Sequence, residues 1–193
     1  MKAQKILAQV RLYVGDAAKA KFADWQAVRA INDALRVMAE ENAKSAGLLF
    51  RRSAEVVLAA ESGVLPSDYL NVIRGFGAEG RELLQVHGDS PGAGEYAIRG
   101  DVLCSGEPQV TLWYFSTPPA VTDGESEIEV PERYATAIAR AAAALLALHK
   151  LRFVPDSSGI PLGLQLESAL PHPVGEQISD IIHRMFPQIC AVM

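Results

Sequence analysis

Several residue patterns in this 193-residue chain have the types and spacing that chemistry uses, and each is weighed on what its neighbours supply. Gly75-Phe76-Gly77-Ala78-Glu79-Gly80 satisfies G-x-G-x-x-G after a run with strand character, the arrangement that cradles a dinucleotide pyrophosphate at a helix N-terminus. That chemistry needs a helix opening at the third glycine. Arg81 to His87 is too short for one and soon meets the turn residues Asp89 to Gly94, so the motif reads as a loop. His87, His149, His172 and His183 lie far apart, with no second ligand at a metal-binding spacing, and Cys104 and Cys190 match no paired redox or zinc spacing. Ser157 and Ser158 lack a nucleophile elbow or a positioned base. Glu125, Glu127 and Glu129 fall on one face of an alternating strand pattern, about 7 Å apart, and without oxygen ligands from a second segment they read as a solvated or lumen-facing acidic row. Arg51 and Arg52 are adjacent and so point to opposite faces of a strand, which disfavours a single phosphate clamp. These patterns predict no catalytic residues, no cofactor and no metal.

Charge is unevenly spread. Residues 1–48 carry eight basic and five acidic groups, residues 49–130 five and thirteen, and residues 131–193 five of each. An acidic middle third is the wrong sign for gripping nucleic acid through its phosphates, although it suits a surface that DNA passes without sticking. The longest apolar run, Ala141 to Leu148, is well short of the roughly 20 residues that span a bilayer, so no membrane association is expected. Apolar residues near the start are interrupted every few positions by Lys, Arg and Asp, unlike a secretory leader, and point to the cytoplasm where the chain is made.

The elements that would position these groups follow from periodicity. Ile6, Val10 and Val14 recur at helical spacing, and Asp24 can cap a second helix carrying Trp25, Val28, Ile31, Leu35 and Met38 on one stripe, with Gly47 as its stop. Short Val-, Ile- and aromatic-rich runs then include 55–58, 69–73 and 109–115, separated by turn signals at 90–94, 105–108 and 122–124. Trp25, Trp113, Tyr114 and Phe115 are expected in the core. A strand over Glu125–Val130 leads to Pro131, which suits a first helical turn, and an alanine-rich helix whose small side chains permit close packing. The predicted fold is α+β: a helical bundle of two N-terminal helices and a long Ala-rich helix, over 3–14, 24–46 and 131–152, with a small antiparallel β-sheet inserted at 49–130. A C-terminal arm, 153–193, is rich in proline and ends in an amphipathic stripe of Ile178, Ile181, Ile182, Met185 and Phe186.

The order of parts is more informative than any one of them. Trp25 with Ile31-Asn32-Asp33-Ala34-Leu35, then Leu65-Pro66-Ser67-Asp68-Tyr69, then Tyr114-Phe115-Ser116-Thr117-Pro118-Pro119, then Ile128-Glu129-Val130-Pro131-Glu132-Arg133-Tyr134, resembles the head-to-tail adaptor, or connector, proteins of tailed bacteriophages over roughly residues 5–152.

The resemblance implies a non-enzymatic structural virion protein, made in the host cytoplasm and located at the neck of the capsid vertex. It implies a homo-oligomeric ring, commonly dodecameric, docked on the portal protein ring, with downstream neck or tail proteins below and double-stranded DNA passing through its channel. On that reading the stripe Ile178, Ile181, Ile182, Met185 and Phe186 is the candidate portal-binding element, and Glu125, Glu127 and Glu129 are candidate channel-facing groups. The competing readings are another neck or tail-completion protein, and a small-ligand-binding or enzymatic domain with an unrecognised cleft.

Overall fold

Helical spacing at the start of the chain translates directly into burial. In the computed structural model, which describes residues 1–88 and 91–151 (for 148–151 the backbone only), α1 spans Ala3–Tyr13 and fully buries Ile6 and Val10. Helix α2, Asp24–Lys44, buries Ala27, Ala30, Ile31, Ala34, Leu35 and Met38. After Pro131 a 3₁₀ turn at Glu132–Tyr134 leads into α3, Ala135–Leu151, whose Ile138, Ala139 and Ala142 are inaccessible to solvent. Alanine supplies helix propensity and leaves little side chain between α3 and α1, which pack against each other.

The described residues form two compact units: Met1–Met38 with the described chain from Pro119, and Ala39–Pro118. In the first, the segment after the Thr122-Asp123-Gly124 turn runs beside the N-terminus. Ala3 N–H donates to Ser126 O at 2.9 Å, Ile128 N–H to Met1 O at 2.8 Å, and the Met1 ammonium to Ile128 O at 2.9 Å. Asn32 of α2 clamps Val121 in both directions, its Nδ2 donating to the carbonyl at 2.9 Å and its Oδ1 accepting from the N–H at 2.8 Å.

The second unit is a seven-stranded sheet, and it corrects the expected architecture. Its strands are β1 (Arg51–Val57), β2 (Ser62–Val64), β3 (Tyr69–Gly77), β4 (Glu82–Gln85), β5 (Glu95–Arg99), β6 (Val102–Ser105) and β7 (Gln109–Ser116), in the order β1-β7-β3-β4-β5-β6-β2. The sheet is mixed rather than antiparallel, because β4 and β5 pair in parallel, and it is nearly closed rather than small. The chain is therefore not a helical bundle with a small sheet inserted: the sheet has its own core of Val56, Leu65, Leu83, Tyr96, Leu103, Val110, Leu112 and Tyr114.

Closure depends on β4. Its Glu82 and Leu83 pair with β3, and its Leu84 and Gln85 pair with β5, so the strand passes the ladder from one neighbour to the other along its length. At the opposite side β2 comes against β1: a Cβ on Gly63 would lie 2.7 Å from Val56 Cγ1 and 2.9 Å from Val57 O, an approach open only to glycine.

Three further expectations fail locally. Residues 125–130 form no strand: between a turn at Glu125 and a bend at Val130 there is a single bridge, between Glu127 and Lys2. Trp25 and Trp113 are not core residues, at 64% and 52% exposure, whereas Tyr114 and Phe115 are buried. The two tryptophans occupy apolar positions of their pattern but lie on the solvent side of α2 and β7.

Candidate functional site

The G-x-G-x-x-G stretch is a β-hairpin. Gly77 ends β3, Gly80 takes a left-handed φ of 74°, and the chain returns as strand β4, with Gly77 N–H donating to Arg81 O at 2.9 Å. The third glycine opens a strand rather than a helix, so the helix N-terminus that would cradle a pyrophosphate in this motif is not formed by it. Cys104 is half-buried and free in β6, and His87 is exposed. Among the described residues no three His, Cys, Asp or Glu side chains are grouped to hold a metal ion, and no helix is long and apolar enough to cross a membrane. Cys190, His172, His183, Ser157 and Ser158 lie outside the described residues, as do Ile178, Ile181, Ile182, Met185 and Phe186.

Glu125, Glu127 and Glu129 are all exposed, while Ile128 and Val130 between and beyond them are buried at 4% and 5%. The alternation read from the sequence thus survives without a strand. Asp123 fixes the turn that starts the segment, its Oδ1 accepting from Glu125 N–H and Ser126 N–H at 2.9 Å each. Glu125 pairs with Lys2 at 2.6 Å, and Lys5 pairs with Glu132, whose carboxyl is held below its ordinary range by that lysine. The row is brought onto one exposed side, and its charge is partly neutralised at Glu125 by Lys2, the residue that precedes α1.

A charged cluster not foreseen from the sequence organises the other end of α1. Arg11 is buried, and its Nη1 donates to Asp16 Oδ2 at 2.9 Å and to Phe22 O at 3.2 Å, while its Nη2 donates to Asp24 Oδ1. Asp16 also accepts three backbone N–H groups, from Ala20 at 2.7 Å, Lys21 at 2.8 Å and Phe22 at 3.0 Å. Burial alone would raise the Asp16 carboxyl; the three backbone donors and Arg11 outweigh it and leave it lowered. Hydrogen bonds from Arg11 and Lys19 lower Asp24 in the same sense. The arrangement locks the connection between α1 and α2 and leaves Leu12, Tyr13, Lys19, Lys21 and Trp25 exposed around it. The sequence signal was the pairing of Arg11 with Asp16 and Asp24 across a loop, a spacing without periodicity.

In the sheet unit, the Leu65-Pro66-Ser67-Asp68-Tyr69 motif is a fastening. Pro66 O accepts Tyr69 N–H at 2.9 Å, and Asp68 accepts from Tyr114 Oη at 2.9 Å and Arg52 Nη1 at 3.0 Å. Burial, with the adjacent Asp68 carboxylate adding to it, raises the Tyr114 phenol. Asp68 O also accepts Thr117 N–H at 2.7 Å, which ties the motif to Ser116-Thr117-Pro118-Pro119. Two of the sequence motifs that carried the resemblance are thus physically one joint.

Asp16, Asp24, Asp68, Asp123, Glu125 and Glu132 thus all accept from partners within the chain. No curated protein matches the sequence. The family model described as SU10 adaptor protein matches residues 1–157, which takes in all the described residues. The chain belongs to the SU10 adaptor protein family, and is accordingly a bacteriophage structural adaptor of the virion.

Proposed function

We propose that this adaptor assembles into a ring, commonly dodecameric in such proteins, which docks on the portal at the capsid vertex, receives neck or tail proteins below and lets double-stranded DNA pass through its channel. The observation that carries the reading is the family match across residues 1–157. One feature of the structure and one of the sequence support it. Glu125, Glu127 and Glu129 form an exposed acidic row, the sign that repels a passing phosphate backbone, and we assign them to the channel face. The stripe Ile178, Ile181, Ile182, Met185 and Phe186, at helical spacing beyond a proline-rich arm, is assigned to portal binding as an apolar helix seated in a groove.

The test is particle mass and negative-stain imaging of the full chain, alone and mixed with the portal ring of the same phage. A ring that forms or grows on mixing supports the reading; a chain that ignores the portal overturns it. Ile182→Asp with Phe186→Asp is expected to abolish docking while circular dichroism and melting temperature stay at the wild-type values. Undiminished docking would remove the C-terminal stripe from the portal interface.

A further inference from the structure

Two oppositely charged surfaces remain unexplained by the reading above. The first surrounds the locked α1–α2 connection, where Lys19, Lys21 and Arg29 are exposed around Trp25 at 64% exposure and Leu12 at 71%. Among the described residues neither the Lys21 ammonium nor the Arg29 guanidinium has an ion-pair partner. The buried Arg11–Asp16 pair holds this patch in shape, so its aromatic and cationic groups are presented without much ordering to be done on binding.

The second lies at one end of the sheet, where the β1–β2, β3–β4 and β6–β7 turns converge. Ser105 N–H donates to Glu61 O at 3.1 Å, Glu107 N–H donates to Ser105 Oγ at 3.2 Å, and the Glu107 carboxyl lies 3.5 Å from where a Cβ on Gly77 would stand, two residues from Glu79. Glu61, Glu79 and Glu107 therefore share one rim, and among the described residues none of the three carboxylates is paired with a cation.

We propose that in the ring these two surfaces form the seam between neighbours, the basic and aromatic patch of Lys21, Arg29 and Trp25 on one copy seating on the acidic rim of Glu61, Glu79 and Glu107 of a second copy. The inference rests on the ring reading above. Complementary but different patches on each chain give a heterologous contact, the type that generates rings when its rotation closes. A copy of the same chain is favoured over DNA as the occupant because the matching acidic surface is present in the chain, and because Asp24 sits within the patch, where it would oppose a phosphate.

Three full-length chains decide the matter: wild type, Lys21→Glu with Arg29→Glu, and Glu61→Lys with Glu79→Lys and Glu107→Lys. Each is mixed with portal ring and its occupancy read by particle mass. Wild type is expected to fill the ring, and each reversed chain alone to assemble roughly tenfold or more less well, since like charges then meet across every seam. An equimolar mixture of the two reversed chains is expected to restore filled rings, because each then offers the other a complementary face; restoration also shows that both chains are folded. Reversed chains that fill rings like wild type, or a folded pair that fails to rescue, overturn the seam while leaving the ring reading intact. Loss of DNA retention with normal rings would likewise overturn it and assign the patch to DNA. If wild type itself forms no ring on the portal, the ring reading falls and the seam with it.

Discussion

Replacing Gly47 by alanine tests how tightly the exit from α2 is built. The added Cβ would stand 2.0 Å from Asn42 Oδ1 and 2.8 Å from Asn42 Cγ, so the carboxamide must leave its place. Asn42 is fully buried, and its side chain brackets Leu49, with Nδ2 donating to the carbonyl at 2.6 Å and Oδ1 accepting the N–H at 3.2 Å. Displacement breaks both bonds, at about 1 kcal/mol each, and forces an extra methyl into a filled site, at about 1–3 kcal/mol. The expected loss is about 3–5 kcal/mol, and a melting temperature lower by about 6–20 °C for a chain of this size. Urea denaturation of wild type, Gly47→Ala, Asn42→Ala and the double variant forms a cycle. Asn42→Ala alone is expected to cost about 2 kcal/mol from the two lost bonds. In that background Gly47→Ala should add less than about 0.5 kcal/mol, the clash having been removed. A Gly47→Ala variant as stable as wild type, or a double variant that loses the sum of the single losses, would refute the packing described.

Acid stability should report the Arg11 cluster. Asp16 and Asp24 are lowered in the folded chain, so their contribution is present above the unfolded carboxylate range and lost as pH falls through the folded values; melting curves from pH 7 to pH 2 should fall more steeply for wild type than for Asp16→Asn, and parallel curves would contradict the assignment. Tyr96 titrates at about 12, pushed up by burial and by the neighbouring Tyr69 and Glu82, so the stabilisation from its neutral phenol is complete below pH 10 and is lost as pH rises from there towards 12. Tyr96→Phe should therefore show a shallower stability loss between pH 10 and 12, measured by urea denaturation. Both tryptophans are more than half exposed, so fluorescence of the free chain should be red-shifted and readily quenched by acrylamide; on ring assembly the Trp25 contribution, isolated in Trp113→Phe, should shift blue, and an unchanged spectrum would place Trp25 outside the seam.

Helices were legible because their signals are local. Ile6 and Val10 recur four apart and Pro131 precedes a helical turn, whereas α2 stops at Lys44, before the Gly47 expected to end it, with Ala46 in the left-handed region. The sheet was not legible to the same degree because β2, β4 and β6 are three or four residues long, too short for alternation to stand out, and their pairing is decided by partners far away in sequence. β4 is the clearest case: nothing in Glu82-Leu83-Leu84-Gln85 announces that its two halves serve different neighbours or that one pairing is parallel. Trp25 and Trp113 misled because large apolar residues at patterned positions are ordinarily inside, and the pattern alone does not separate the exposed ones. The acidic row at Glu125, Glu127 and Glu129 was readable because the alternation holds there without a ladder. The Arg11 cluster was hidden for the opposite reason, since its partners are gathered by an irregular loop.

The divided duty of β4 also bears on how the sheet breathes. Long ladders join β1, β7 and β3, seven residue pairs in the first case, whereas only two pairs join β4 to β3 and two join it to β5. Opening free energy follows ladder length and burial, so the β5-β6-β2 block is expected to open as its own cooperative unit, by parting both the short stitch at Leu84 and Gln85 and the close contact of Gly63 with β1. Amide hydrogens of Leu103 and Ala97 should then exchange together through a sub-global opening, at a lower cost than those of Leu112 and Val110 in the central strand. On that expectation the nearly closed sheet is a hinged clasp, firm along one arc and able to part along the other.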